Sequence, residues 1–158
     1  MLVRRFAIIT DKYLRKKVWM LRKSADKHRN DIRPGRRRFG VYRYLTDVYR
    51  VYLEFPSRRT AKQATRRIAK RMHLSIRRNS HPIRILIEAS AVAEDNRTKS
   101  RWTQALKYAS GWRQPAKRLK WFFEVTGGIA GSARKYTDLQ AQRKATKIMT
   151  TVEPVVGK

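Results

Sequence analysis

The stretch Ser80-His-Pro-Ile-Arg-Ile-Leu-Ile-Glu-Ala-Ser-Ala-Val-Ala-Glu-Asp95 decides the fold. Drawn as a helix, it puts Ile83, Ile85, Leu86, Ile87, Ala89, Ala91 and Val92 on nearly every side. A helix that is apolar all round is a buried one. Ser80 reads as its cap, and Pro82 sits in the first turn, where a missing N–H costs nothing. Residues 81–95 hold one Arg and three acids, in a chain of 158 residues with 40 Lys+Arg, 11 Asp+Glu and a formal net charge of +29. The segment is thus the central core helix, and its neighbours must each bring an apolar face to cover it.

Working outward, the neighbours read as helices. Downstream, Glu94-Asp95-Asn96 opens a helix over 97–110 with Trp102, Ala105, Leu106 and Ala109 on its inner face. Gly111 to Pro115 is a break, and a helix from Ala116 carries Leu119, Trp121, Phe122, Phe123 and Val125. After Gly127-Gly128, two further helices are expected, 129–136 and, capped by Asp138, 139–149; the tail from Thr150 frays. Upstream, Thr60-Ala-Lys-Gln63 fits a capping box. The helix behind it, 61–73, sets Ala61, Ala64, Ile68 and Met72 against an opposite face of Arg59, Lys62, Arg66, Lys70 and His73. Residues 39–55 show a helical stripe (Val41, Tyr44, Leu45, Val48, Val51, Tyr52, Phe55), although 49–55 also alternates like a strand. Length and the lack of a partner strand favour helix. Tyr42, Arg43, Thr46, Tyr49 and Arg50 lie off that stripe, where they are candidates for contact with nucleic acid or for burial. Residues 11–29 form a helix with Asp11 as cap and Tyr13, Leu14, Val18 and Leu21 at helical spacing; Arg33-Pro34-Gly35-Arg36-Arg37-Arg38 breaks it. The seven Gly and five Pro fall at boundaries. The fold class is all-α, a multi-helix bundle, organised as a basic helix and Arg-rich turn (1–38), a helical core domain (39–149) and a tail (150–158).

The charge is uneven. Residues 1–79 hold 25 Lys/Arg and 5 Asp/Glu, and residues 80–158 hold 15 and 6. No acid occurs between Glu54 and Glu88, and ten Lys/Arg lie in that gap. Soluble helices normally mix signs, so one-sign enrichment on this scale is the footprint of a phosphate-binding surface. The expected contacts are Arg58, Arg59, Lys62, Arg66, Lys70, Arg71, Arg77 and Arg78, together with the Arg36, Arg37 and Arg38 turn, which reads either as a minor-groove arm or as a plain basic turn.

Residues 119–149 resemble the helix-turn-helix of Fis-like bacterial DNA-binding domains, on the stretch Thr126-Gly-Gly-Ile-Ala-Gly-Ser-Ala-Arg134. The resemblance implies a short helix holding Ala130 and Ala133, then a recognition helix presenting Gln140, Gln142, Arg143, Lys144 and Lys147 to base edges. The alternative for the same residues is a helical hairpin that closes the core, with glycines as caps. The pair 39–55 and 60–73 is a second helix-turn-helix candidate. Residues 80–136 also resemble small basic uncharacterised bacterial proteins of the plasmid or mobile-element kind, a likeness that implies no activity.

Other chemistries lack residues. There is no Cys, so no disulfide scaffold, zinc ribbon or thiol nucleophile. The three His, at 28, 73 and 81, show no metal-ligand spacing, no phosphate-loop motif occurs, and the acids are scattered. The expectation is a non-enzyme without cofactor or metal. No apolar run reaches the ~20 residues of a membrane span, and Phe6 to Ile9 is too short for a secretory core. That places the chain in the cytoplasm, nucleoid-associated, with no membrane partner. The function expected is binding of nucleic acid, double-stranded DNA before RNA, in a regulatory or architectural role. The alternatives are an RNA-binding or ribosome-associated protein and an adaptor for an acidic protein. No apolar heptad marks a dimer seam, and a homodimer rests on analogy with bacterial regulators alone.

Overall fold

The computed structural model describes residues 9–30 and 37–151, and every regular element among them is helical. In chain order these are α1 (Asp11–Asn30), α2 (Arg37–Glu54), α3 (Arg58–Arg71), α4 (Pro82–Ser90), α5 (Asn96–Gly111), a 3₁₀ turn (Ala116–Arg118), α6 (Leu119–Val125) and α7 (Gly128–Thr151).

The short helix α4 is the hub. Pro82, Ile83, Ile85, Leu86, Ile87, Ala89 and Ser90 are buried, and α1, α2, α3 and α5 all pack against it. Burial of so many side chains on nine residues is what holds four longer helices on one centre, because each buried Ile or Leu contributes about 1.5–3 kcal/mol. Helix α1 contributes Leu14, Val18, Leu21 and Ala25 to the same core, so it is part of the body. Arg22 of α1 donates from Nε to the carbonyl of Ala89 (2.9 Å), a cation on the carbonyl end of α4.

Residues 39–54 are helix and lie within α2, with Phe55 just past its end, so the strand-like alternation of 49–55 does not decide their state. Their off-stripe aromatics are core or half-buried. Tyr49 is fully buried, its hydroxyl donating to the carbonyl of Gln114 (2.9 Å), and burial pushes that hydroxyl up to about 12. Tyr42 is half-buried against Phe123, with ring centroids 5.8 Å apart. The Tyr49 ring is thus not left to stack on a base. Tyr44 is buried as well, its hydroxyl 2.7 Å from that of Ser90.

Three caps differ from expectation by one to three residues. Thr10, not Asp11, caps α1 by accepting from the Tyr13 amide (3.2 Å). Ser57, not Thr60, caps α3 by accepting from the Thr60 amide (3.1 Å). His81, not Ser80, caps α4, its Nδ1 accepting from the Ile83 amide (3.2 Å). Asp95 caps α5 as read, accepting from the Thr98 amide (2.8 Å).

The helix-turn-helix of residues 119–149 is not formed. The two helices expected over 129–136 and 139–149 are one continuous helix, α7, of 24 residues. Residues 132–151 contain no Gly or Pro to stop it, and the Thr137 hydroxyl bonds back to the carbonyl of Ala133 (3.1 Å) across the expected turn. The real turn is at Gly127 and Gly128, whose φ values of 88° and 77° suit glycine. Gly131 is needed for a different reason: a Cβ there would lie 2.4 Å from the carbonyl oxygen of Thr126. The glycines therefore build the tight α6–α7 hairpin. The second helix-turn-helix candidate also lapses, because α3 packs on α4 and, to a lesser degree, α1, with little contact to α2.

Candidate nucleic-acid interface

The site is built on α3. Its buried face is small (Ala61, Ala64, Thr65, Ile68, Ala69), which lets its backbone lie close on α4 and leaves the remaining circumference to basic residues. The structure divides these into two rows. One faces α1: Arg67 pairs with the Asp11 carboxylate and donates to the carbonyl of Ile9 (3.0 Å), and Arg71 lies 3.1 Å from the same carboxylate. The other row is Arg59, Lys62, Arg66 and Lys70, all exposed, and none makes an ion pair with a carboxylate among the described residues. At ~1.5 Å rise per residue this second row runs for about 16 Å along the helix.

The row continues into the following loop. Helix α3 ends in a Schellman arrangement, with Leu74 N–H on Ala69 O (2.9 Å) and His73 N–H on Lys70 O (3.3 Å). His73 stands at the left-handed position, φ 51°, where glycine is usual. Arg66 donates from Nη2 to the carbonyl of Arg78 (2.9 Å), which holds the loop, with exposed Arg77 and Arg78, against the helix. Arg58, at the start of α3, is also exposed and without an acidic partner among the described residues.

Beyond the loop lies a polar groove of about 620 Å³ between the loop, α4, α5 and α7. Arg77, His81, Arg84, Glu88, Lys107 and Tyr136 line it, with amide and hydroxyl groups of α5. Glu88 is saturated: Arg84 Nη2 is 2.5 Å from one carboxylate oxygen and Lys99 Nζ is 2.9 Å from the other. Burial alone would raise the Glu88 carboxyl, but the Lys99 hydrogen bond and the Arg84 charge outweigh it and hold it below the usual range. His81 is pushed down to about 4, by burial first and then by the Lys107 and Arg58 charges. Its neutral ring keeps Nδ1 free to cap α4.

The expected contacts thus fall into separate groups. Arg58, Arg59, Lys62, Arg66, Lys70, Arg77 and Arg78 come together on α3 and its loop. Arg71 is turned to α1. Gln142, Arg143, Lys144 and Lys147 lie exposed on the second half of α7, where residues 141–148 are all exposed. Helix α7 packs on α5 and α6. Arg36 lies outside the described residues. Arg37 and Arg38 belong to the first turn of α2, and their side chains also lie outside the described part. Sequence reading passed over Arg84, Lys107 and Tyr136, since isolated residues on two helices carry no spacing that would group them with the loop.

No group of three His, Asp or Glu side chains able to hold a metal occurs among the described residues, and no helix there is long and apolar enough to cross a membrane. A comparison with protein families, curated proteins and solved structures finds no match to the chain.

Proposed function

We propose that the protein binds double-stranded nucleic acid, DNA in the first instance, by neutralising backbone phosphates with α3 and the loop after it. One observation carries this reading: on a single helix, the basic row toward α1 is matched by Asp11, while the outer row Arg59–Lys62–Arg66–Lys70 has no carboxylate partner among the described residues. A solvated structural helix needs no such row, and a continuous run of unpaired cations favours release of counterions from a polyphosphate. With no helix-turn-helix formed, the reading is of backbone binding in an architectural role more than of base readout.

The test is fluorescence anisotropy with a mixed-sequence DNA duplex and a structured RNA, between about 50 and 200 mM salt. Changing Arg59, Lys62 and Lys70 together to Ala should weaken binding to every sequence and reduce the salt slope by about 3, near 0.9 per phosphate contact. Changing Gln142 and Arg143 to Ala should leave the slope of duplex binding nearly intact. An unchanged slope in the α3 variant refutes the interface, and a preference for RNA over duplex DNA moves the assignment to RNA.

A further inference from the structure

We propose that the groove between the 75–80 loop, α4, α5 and α7 holds one unstacked nucleotide of the strand whose phosphates α3 neutralises. The inference rests on the function proposed above and names the kind of end or junction the protein prefers.

Three features point to a nucleotide instead of a bare anion. The first is charge. Arg77, Arg84 and Lys107 line the groove, and its one carboxylate, Glu88, is already occupied on both oxygens by Arg84 and Lys99. Arg77 and Lys107 have no acidic partner among the described residues, so the groove is electropositive where a phosphate would enter. The second is the remainder of the wall. Asn96, Ser100 and Gln104 present amide and hydroxyl groups. Amides both donate and accept, which suits the edge of a base or a ribose hydroxyl; a phosphate alone uses donors only. The third is shape. The groove measures about 620 Å³, within the ~300–1,000 Å³ of small-molecule sites, and Tyr136 offers a ring with the Lys107 ammonium 4.7 Å from its centroid. Aromatic rings with adjacent cations are the usual platform for an unpaired base.

Continuity with α3 joins the two sites. Arg77 forms a wall of the groove, and the next residue, Arg78, is tied through its carbonyl to Arg66 in the outer row. A backbone passing along that row therefore arrives at the mouth of the groove. Helix surfaces such as α3 are convex and suit a paired backbone, whereas a concave site accepts a base only once it has left the stack.

The experiment compares the full chain on a blunt duplex and on the same duplex carrying a short single-stranded overhang. The overhang should be bound about tenfold more tightly, the scale of one stacked base. Lys107→Gln and Tyr136→Leu, made separately, should each lower that preference while keeping blunt-duplex affinity, and unchanged melting curves show that both variants are folded. The Arg59, Lys62 and Lys70 variant should weaken both ligands alike. Equal binding of the two duplexes by the unaltered protein overturns the inference, as does an undiminished preference in both groove variants. Failure to bind either duplex refutes the proposed function, and this inference falls with it.

Discussion

Replacing Glu88 by Gln tests the electrostatic centre of the molecule. Lys99 is only 6% exposed, and its ammonium is held 2.9 Å from Glu88 Oε2, while Arg84 holds Oε1 at 2.5 Å. At an effective dielectric of ~20, a pair of charges at that separation attracts by about 6 kcal/mol, most of which offsets desolvation. Removing the carboxylate charge leaves a buried ammonium facing a guanidinium. Loss of one partner from a fully buried pair costs about 3–5 kcal/mol. The Glu88 side chain is 19% exposed, and a Gln oxygen still accepts from Lys99, so we expect about 2–3 kcal/mol. In a chain of this size that lowers Tm by about 5–10 °C. Thermal unfolding followed by circular dichroism reads the shift. Adding Lys99→Met to Glu88→Gln should recover much of the loss, because it removes the uncompensated charge. A Tm within about 1 °C of the unaltered protein, or no recovery in the double variant, refutes the reasoning. The pair also sets a low-pH limit. Its contribution is present above the ordinary Glu pKa of 4.5 and is lost as pH falls through the lowered folded value.

Two further perturbations have signs fixed by the geometry. Gly131→Ala gains about 1 kcal/mol of helix propensity, but its Cβ would sit 2.4 Å from the backbone oxygen of Thr126; overpacking against backbone costs about 1–3 kcal/mol, so denaturant unfolding should show a net loss, and a gain would mean that the hairpin can open without penalty. His81, pushed down to about 4 from 6.5, binds its proton in the unfolded chain first. Stability should therefore fall by about 2–3 kcal/mol as pH drops from 6.5 toward 4. His81→Asn keeps a side-chain cap on α4 and should flatten that window in unfolding curves taken at pH 7 and 4.5; an equally steep loss would assign the pH dependence to other groups.

What could be read from the chain was what depends on one segment's own pattern. Helix α4 announced itself because its apolar residues cover nearly every side, and α5 because Glu94-Asp95-Asn96 marks a helix start ahead of Trp102, Ala105, Leu106 and Ala109 at helical spacing. The helix character of α2 followed from stripe length. The errors lie where two signals compete within a turn. At α4, Ser80 and His81 both offer an acceptor, and only the path of the chain from the basic loop chooses the imidazole. At 137–138, Thr-Asp resembles a stop and a cap, yet without Gly or Pro nearby the helix runs on. His73 and Arg113, at φ 51° and 50°, follow α3 and α5 in left-handed positions without glycine, so the usual glycine mark is missing there, although Gly111 and Pro115 still signal the break after α5.

The basic residues illustrate the same limit at the level of function. Within α3, Arg66 and Arg67 are adjacent and chemically identical, and composition assigns them one role. Their separation comes from a distant acid: Asp11 reaches Arg67 and Arg71 across the α1–α3 contact, while the row one step around the helix meets no carboxylate among the described residues. With 11 acids for 40 bases, the described carboxylate pairs recur at seams between helices: Asp11 joins α1 to α3, Glu54 joins α2 to Lys17 of α1, and Glu88 joins α4 to α5. Among the described residues, none of these seam acids reaches the outer row of α3. The scarcity that opposes folding of so cationic a chain also leaves that face electropositive, and under the proposed function both effects act in the same direction: a bound polyanion would neutralise that charge and, by neutralising it, stabilise the fold.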